Sequence, residues 1–582
     1  MKRRWLINRT NPEYIRYLSR ASSISPILAQ ILMNRGIKTP DDVHEFLQPG
    51  LTGLSDPFEL PDMSAAVKRI KSALALNERV LVHGDYDTDG LTATAIMVHT
   101  LRAMGMDVHF FIPNRMTHGY GFNPSSVEVA KKTGARLIIT VDCGVTAFEA
   151  VTYARQAGID VIITDHHEPV KHVTNCEVQS SGPDVTRDFM LPETVAVVNP
   201  KLDVQNPKLW TLSGAGVAFK MAQALALDSS FPFNGDDCLR LLDLAALGTL
   251  ADVVPLTGEN RVILKEGLNY IIRAYRPGIR SLLEVSGLLE RDIRALILSF
   301  TVVPRINASG RIGDARDVIT LLLSGSPEES LSIAEKLDKT NSERQRIEEE
   351  TYQEAISQLD EKGHDAAIVL CGKDWHAGVI GIVASRIADK FCRPAFIFTQ
   401  EGDVVKGSAR SIPSFDIYKG LSGCGDILLS FGGHRQAAGL RLNKSDLPLF
   451  EERINAMIRS AVKREDFIPV VKIDAEVVLP EVNASLVREI SMLEPLGFGN
   501  PEPLLGSRGL DALNLRIVGK NHLKMKLRQR AHSIDAIGFD MGELLEHLSS
   551  SVSLDAVFTP TINEWNGSRY LQLNLKACRP AA

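Results

Sequence analysis

The chain of 582 residues is too long for one compact core, so three or four domains are expected. A hydrophobic fraction of 44% and a charged fraction of 23% are ordinary for a globular protein, and no run of about 18 apolar residues offers a membrane span. The formal charge of -6 argues against a protein that coats duplex DNA generically, and seven cysteines without a C-x-x-C pair argue for a reducing, cytoplasmic setting rather than a zinc or disulfide framework.

The start, "MKRRWLINRTNPEY", is basic without an apolar core and does not read as a signal peptide. Residues 1–58 read as short helices, such as "SPILAQILMNRG" and "PDDVHEFL". Over 59–325 the pattern changes: "RVLVHGD", "DVHFFIP", "ARLIITVDCG", "DVIITDHH" and "TVAVVNP" are short β-branched runs separated by helical ones, and helices dominate from about residue 236. That alternation predicts a parallel sheet wound by right-handed crossovers. Residues 170–193 read as a polar surface insertion. Residues 326–362 open on Ser-Pro-Glu-Glu and carry no glycine until they end, which predicts one long, exposed connecting helix. Residues 363–466 ("DAAIVLCG", "RPAFIFTQ", "VVKGSARS") predict a second, smaller α/β domain. Residues 467–582 are strand-rich and predict a small β-barrel of OB type.

Three predicted parallel strands end in ligand-type residues. The first delivers His83, Asp85, Asp87 and Asp89, the second Asp142 in "VDCG", the third Asp165, His166 and His167 in "TDHHEP". Crevices of open α/β sheets lie at the carboxyl ends of strands, so these positions should meet at one edge. Asp252, in "GTLADVVPL", could close the site from one side. Singly, each feature is ordinary: a D-x-D is commonly a solvated turn, and Asp142 could cap a helix. Together, carboxylates and imidazoles without thiolate point to one or two divalent ions, Mn2+ or Mg2+ rather than structural zinc. Spacing alone does not choose among Asp85, Asp87 and Asp89.

"DYDTDG", "VDCG", "TDHH" and "GTLADVVPL" resemble, in order, the four signature motifs of the DHH phosphoesterase superfamily. "PRINASGRIGDA", "WHAGVIGIVASRI", "GSARSI" and "FGGHRQAAG" narrow the resemblance to the RecJ single-stranded-DNA exonucleases with their DHHA1 domain, from about residue 20 to the C-terminus. Departures are Thr88, where alanine is common, and the long segment after "DHHEP". The resemblance implies a DHH domain at 59–325, a DHHA1 domain at 363–466 and an OB-like nucleic-acid-binding domain at 467–582. It implies metal ligation by His83, Asp87, Asp89, Asp142, His166 and Asp252, with Asp142 bridging two ions, Mn2+ favoured. Asp85, Asp165 and His167 would orient ligands or the scissile phosphate. Catalytic roles are expected of Asp142, His166, His167 and His434.

A phosphodiester needs donors around its oxygens, and arginine forks suit that task. Candidates are Arg115, Arg305, Arg311, Ser408 and Arg410, with the backbone of Gly432 and Gly433 beside His434. Each arginine taken singly could equally form a surface or inter-domain ion pair. The resemblance implies that Arg115, Arg305, Ser408 and Arg410 bind a 5′-terminal phosphate, and that Asn341, Arg344 and Gln345 lie near the substrate channel. In "HLKMKLRQR", strand periodicity places Lys524, Lys526, Arg528 and Arg530 on one face, suited to tracking a single-stranded backbone or to being a plain solvated sheet face. Aromatics for base stacking are not evident in that stretch. The expected activity is metal-dependent 5′→3′ hydrolysis of single-stranded DNA to 5′-mononucleotides in repair and recombination, by a cytoplasmic monomer without membrane contact that meets a helicase and a single-strand-binding protein. The alternatives are a phosphodiesterase for short oligoribonucleotides or cyclic dinucleotides, and a catalytically dead binding protein.

Overall fold

The computed structural model describes residues 3–113, 121–171, 189–202, 205–363, 365–548, 553–565 and 568–581. The chain divides into two units, Ile7–Gly310 with Asp314–Glu335 and Lys472–Ala582, and Met1–Leu6 with Arg311–Gly313 and Lys336–Val471.

In the first unit, five parallel strands lie in the order Val108–Phe111, Val80–His83, Leu137–Val141, Asp160–Thr164, Ala196–Val198. The runs VLVH and LIITV are buried throughout, as a sheet covered on both faces requires. The order makes neighbours of the three strands expected to end in acids, and all three run the same way. Their carboxyl ends therefore share one edge without any long loop. The helix Thr88–Ala103, almost wholly buried, packs against Gly214–Ala226 and Leu242–Ala251.

The same unit holds the barrel. Leu505–Val518, His522–Gln529, His532–Gly538, Ser568–Pro580 and Ser553–Trp565 form a sheet that closes when Leu505–Val518 also pairs Ser553–Trp565. The helices Pro12–Ser22, Pro26–Asn34 and Pro40–Leu47 share the barrel's core: Leu28, Ile31 and Leu32 lie in one buried cluster with Leu486, Ile490 and Leu505. Each begins at an Asn, Ser or Thr cap followed by proline, the ordinary helix-start chemistry.

Arg261, on Gly258–Arg273 and 2% exposed, ties the parallel-sheet domain to the segment leading into the barrel. It stacks 3.9 Å over Phe46 and donates to the carbonyls of Phe46 (2.6 Å), Leu493 (3.0 Å) and Glu494 (2.9 Å). Burial pushes it down to about 9, and nearby Arg35 adds to that. Elsewhere in this unit the buried pair Lys220–Glu259, at 3.1 Å, grips the main chain of Ser55 from both sides.

In the second unit the strand order is Leu428–Gly433, Ala437–Asn443, Val404–Arg410, Ala395–Glu401, Ile368–Gly372, parallel only for the last pair. The helix Ile380–Phe391 makes that parallel crossover. The 36-residue helix Pro327–Lys362 contains the boundary between units and carries i,i+3 and i,i+4 pairs from Arg346 to Glu343 and Glu350. On it, Arg344 donates to Asn341 Oδ1 at 2.6 Å and to Glu348 at 2.5 Å. Among the described residues no helix is long and apolar enough to cross a membrane.

Candidate metal centre

The acids arrive as the strand order dictates. After Val80–His83 the chain turns, and Asp87 caps Thr88–Ala103 by accepting from Gly90 N–H at 3.0 Å. Asp89, in the first turn, reaches the start of another helix and accepts from Gly214 N–H (2.6 Å) and Ala215 N–H (2.9 Å). Two helix N-termini thus face one acidic cluster, and their dipoles favour negative charge there. Gly214 is required by close approach: a Cβ there would fall 2.4 Å from Asp142 Oδ1. Asp142 leaves its strand with φ +59°, a left-handed conformation unusual for a residue with a side chain.

His166 Nε2 lies 3.1 Å from Asp142 Oδ1, 3.6 Å from Asp252 Oδ2 and 3.9 Å from Asp89 Oδ2. Three sets of donors converge: Asp142 with His166 and His167, Asp89 with His166 and Asp252, and Asp85 with Asp87 and Asp142. Asp142 Oδ1 and Asp252 Oδ2 are buried and accept no hydrogen bond. Carboxylate oxygens are rarely left so, and an all-oxygen and imidazole set with orphaned oxygens fits a divalent cation. Burial, then the neighbouring Asp87, raises Asp85 to about 7; burial, then Asp252, raises Asp89 to about 7. Asp142 is pushed well above the carboxylate range by burial and by Asp89 and Asp87. Without a cation these like charges oppose one another.

Asp165 and His167 form a different pair. Asp165 Oδ1 meets His167 Nδ1 at 2.7 Å and accepts from His166 N–H (2.7 Å) and His167 N–H (3.1 Å), while Oδ2 accepts from Val145 N–H (2.9 Å). Burial opposes the charge on both partners, but their mutual bond prevails and holds Asp165 near 2 and His167 near 9. That bond occupies Nδ1 and leaves His167 Nε2 for the cluster, the arrangement by which a carboxylate orients a ligating imidazole.

His83 stands apart from the three donor sets. Its Nε2 lies 2.8 Å from Ser126 Oγ and its Nδ1 3.6 Å from Cys143 Sγ, with Phe122 and Phe111 edge-on. Burial pushes it down to about 4. Asp85, expected only to orient others, sits inside a donor set with its oxygen also accepting from Tyr86 N–H.

Two contributions were not anticipated from the sequence. Asn307 Oδ1 accepts from both Thr88 N–H (3.0 Å) and Thr88 Oγ1 (2.9 Å), so Ala295–Ile312 holds the acidic turn through the residue at which this chain departs from the common alanine. The Gly214–Ala226 N-terminus is the other. Its signal was legible in "SGAG", where Ser213 caps the helix and small residues leave N–H groups accessible.

Arg305 donates to Thr301 O at 2.7 Å on its own helix. In the second unit, Ser408 and Arg410 alternate on one strand, with Arg410 Nη1 at 3.4 Å from Ser408 Oγ. Both face the start of Ile380–Phe391: a Cβ on Gly381 would fall 3.0 Å from Ser408 Oγ and 3.4 Å from Arg410 Nη2. A hydroxyl, a guanidinium and a helix N-terminus together suit an anion. Arg311 donates to Gly378 O at 3.1 Å in that unit. Gly432 and Gly433 end the strand Leu428–Gly433, and exposed His434 donates through its main chain to Ala437 O. Arg115 lies outside the described residues.

On the barrel, Leu523, Met525 and Leu527 point inward, so Lys524, Lys526 and Arg528 point outward. Arg530 lies beyond the strand, in the turn, with φ +55°. Arg528 is bound to Asp511 at 3.0 Å and Lys526 lies 3.7 Å from Asp535, so the outward charge is partly neutralised.

Comparison with known proteins agrees with this fold. Family models match at 79–249 (DHH family, N-terminal domain), 364–460 (DHHA1 domain) and 473–577 (RecJ OB domain). The chain is 38% identical to the single-stranded-DNA-specific exonuclease RecJ of Bacillus subtilis over 99% of its own length and 70% of that protein's. It resembles crystal structures of Thermus thermophilus RecJ with Mn2+ (TM-score 0.83, 32% identity) and with Mg2+ (TM-score 0.78, 31% identity). Each covers 100% of this chain, which in turn covers 80% and 79% of theirs. A parallel sheet with acids and imidazoles at one edge, a DHHA1 domain and a closed barrel, matched along nearly the whole chain, place it in the RecJ family of single-stranded-DNA-specific exonucleases.

Proposed function

We propose that the chain is a divalent-metal-dependent exonuclease that degrades single-stranded DNA from the 5′ end, releasing 5′-mononucleotides. The observation that carries this is the convergence of Asp85, Asp87, Asp89, Asp142, His166 and Asp252, with two orphaned carboxylate oxygens buried among them. Divalent ions, when bound, lower the pKa of water and neutralise the phosphodiester. His83, Asp87, Asp89, Asp142, His166 and Asp252 would hold them. The Asp165–His167 bond fixes the His167 ring so that Nε2 faces the cluster. Asp89 stays fixed through its two main-chain donors.

Arg115, Arg305, Ser408 and Arg410 are assigned to the 5′-terminal phosphate, Arg311, Gly432 and Gly433 to other substrate phosphate oxygens, and His434 to the scissile group. A terminal-phosphate pocket makes hydrolysis exonucleolytic, because the end must bind first. Lys524, supported by Lys526, Arg528 and Arg530, tracks the backbone of a longer strand. That barrel favours long strands over dinucleotides. The protein is assigned to the cytoplasm as a monomer that works with a helicase and a single-strand-binding protein.

The test is product analysis on a 5′-labelled single strand with Mn2+, with Mg2+ and with chelator. Labelled mononucleotide released first, only with metal, is the expected result. Internal fragments, or release in chelator, would contradict the reading. Comparing a long strand with a dinucleotide separates it from a small-substrate phosphodiesterase.

A further inference from the structure

One aromatic ring, on a turn bonded to the segment that follows Asp252, is anchored through its main chain and left exposed. Phe498 is 57% exposed, yet its main chain is fixed. Leu256 N–H donates to Phe498 O at 2.8 Å, and Gly497 and Asn500 exchange main-chain bonds of 2.9 and 3.1 Å. Asn500, wholly buried, donates to Leu493 O and Pro495 O, both at 2.7 Å, and accepts from Arg35. The flanking glycines let the turn lie flush on 255–256. A Cβ at Gly497 would fall 2.5 Å from Leu256 Cδ1, and Gly499, at φ +73°, would place one 2.9 Å from Pro255 Cβ. Phe498 is thus the side chain that this turn presents outward.

Its neighbours carry the chemistry. Asp252, whose Oδ2 meets His166, lies four residues before Leu256, at most about 14 Å along a fully extended chain. Val253, between them, is 73% exposed. On the other side Glu494 meets Arg294 at 3.3 Å, immediately before Ala295–Ile312. That helix carries Phe300, 79% exposed, and, seven residues on and so near the same face, Asn307, which grips the acidic turn. A single exposed apolar side chain is ordinary. Three of them lie on segments that also carry a metal donor or the clamp on the acidic turn.

We propose that Phe498 stacks on a base of the single strand within a few nucleotides of the scissile bond, with Val253 and Phe300 lining the path of that strand. This rests on the exonuclease reading and adds a base contact to the backbone contacts. A π-face takes any base, so the contact holds the strand without reading its sequence.

The test compares wild type, Phe498→Ala and Phe498→Trp on a thymidine strand and on one abasic over its first six positions. Stacking predicts KM on the normal strand raised roughly 5- to 150-fold in Phe498→Ala, the range for losing one stacked base. It further predicts kcat and Mn2+ affinity near wild type, recovery in Phe498→Trp, and no effect of the alanine on the abasic strand. Unchanged KM, an equal loss on both strands, or weakened Mn2+ binding would overturn it. Labelled-strand binding measured in chelator, where hydrolysis plays no part, should show the same ratio. A flat result there sinks the stacking role alone, whereas a wild type inert with Mn2+ sinks the exonuclease reading.

Discussion

Two clusters of charge in this chain obey different electrostatics. At the sheet edge, Asp85, Asp89 and Asp142 are buried beside one another and are held away from their ordinary titration by burial and mutual repulsion. On the barrel strand His522–Gln529, Lys526 and Arg528 are solvent-facing and already face Asp535 and Asp511. Buried like charges in a low-dielectric crevice demand a cation, whereas exposed ones are screened by salt and worth little each. The difference teaches where a substitution should be felt: acutely at the sheet edge, gradually on the barrel.

The largest effect should come from Asp142→Asn. Nucleotide release with Mn2+ should be abolished, while the melting temperature in chelator is unchanged or raised, because the substitution relieves a buried repulsion. A nuclease assay paired with a thermal melt decides it, and an active variant or a collapsed one would erase the contrast between the clusters.

The same cluster sets a pH dependence in chelator. Asp85 and Asp89 titrate near 7 in the folded protein against an ordinary 3.8, so the native state binds more protons than the unfolded chain between about 4 and 7. Stability therefore falls as pH rises through that window. His167, raised from 6.5 to about 9, contributes stability that is fully present below 6.5 and lost as pH rises through 9. Melts between pH 4 and 9 should decline throughout, and Mn2+ should flatten the lower part by replacing protons.

A smaller effect is expected from Asn307→Ala, which strips Thr88 N–H and Oγ1 of their shared acceptor. Leaving such a donor unmet costs about 1–3 kcal/mol. Calorimetric Mn2+ affinity should fall, and Asn307→Asp should restore part of it by keeping the acceptor.

Smallest is Lys524→Glu, which should weaken binding of a long strand modestly and reduce the magnitude of the slope of log affinity against log salt by about 1 or slightly more. The same change at Arg528 should do less, since Asp511 already neutralises it. Equal and large losses at both would make the barrel face more like the sheet edge than the geometry shows.

The parallel sheet, the long helix, the second α/β domain and the barrel were legible because apolar periodicity and turn residues are local signals. The convergence of Asp85–Asp89, Asp142 and His166 was legible too, since strand polarity alone brings those ends together. What stayed hidden depends on contacts between distant segments. Nothing in "PRINASGR" says that Asn307 will meet Thr88, and nothing in "PDDVHEFL" says that Phe46 will stack on Arg261. For His83, motif resemblance implies a metal ligand, and only the fold shows that Ser126 and Cys143 lie by its two nitrogens. Phe498 was passed over because a lone aromatic between glycines carries no pattern until its turn is seen anchored.

The central claim is that the strand-end carboxylates and imidazoles jointly seat divalent cations. Titrating Mn2+ into metal-free wild type and Asp142→Asn, with free ion followed by electron paramagnetic resonance, tests it most directly. Saturable high-affinity binding in the wild type that is lost or sharply weakened in the variant is the predicted result. Identical binding curves for the two proteins would contradict the account.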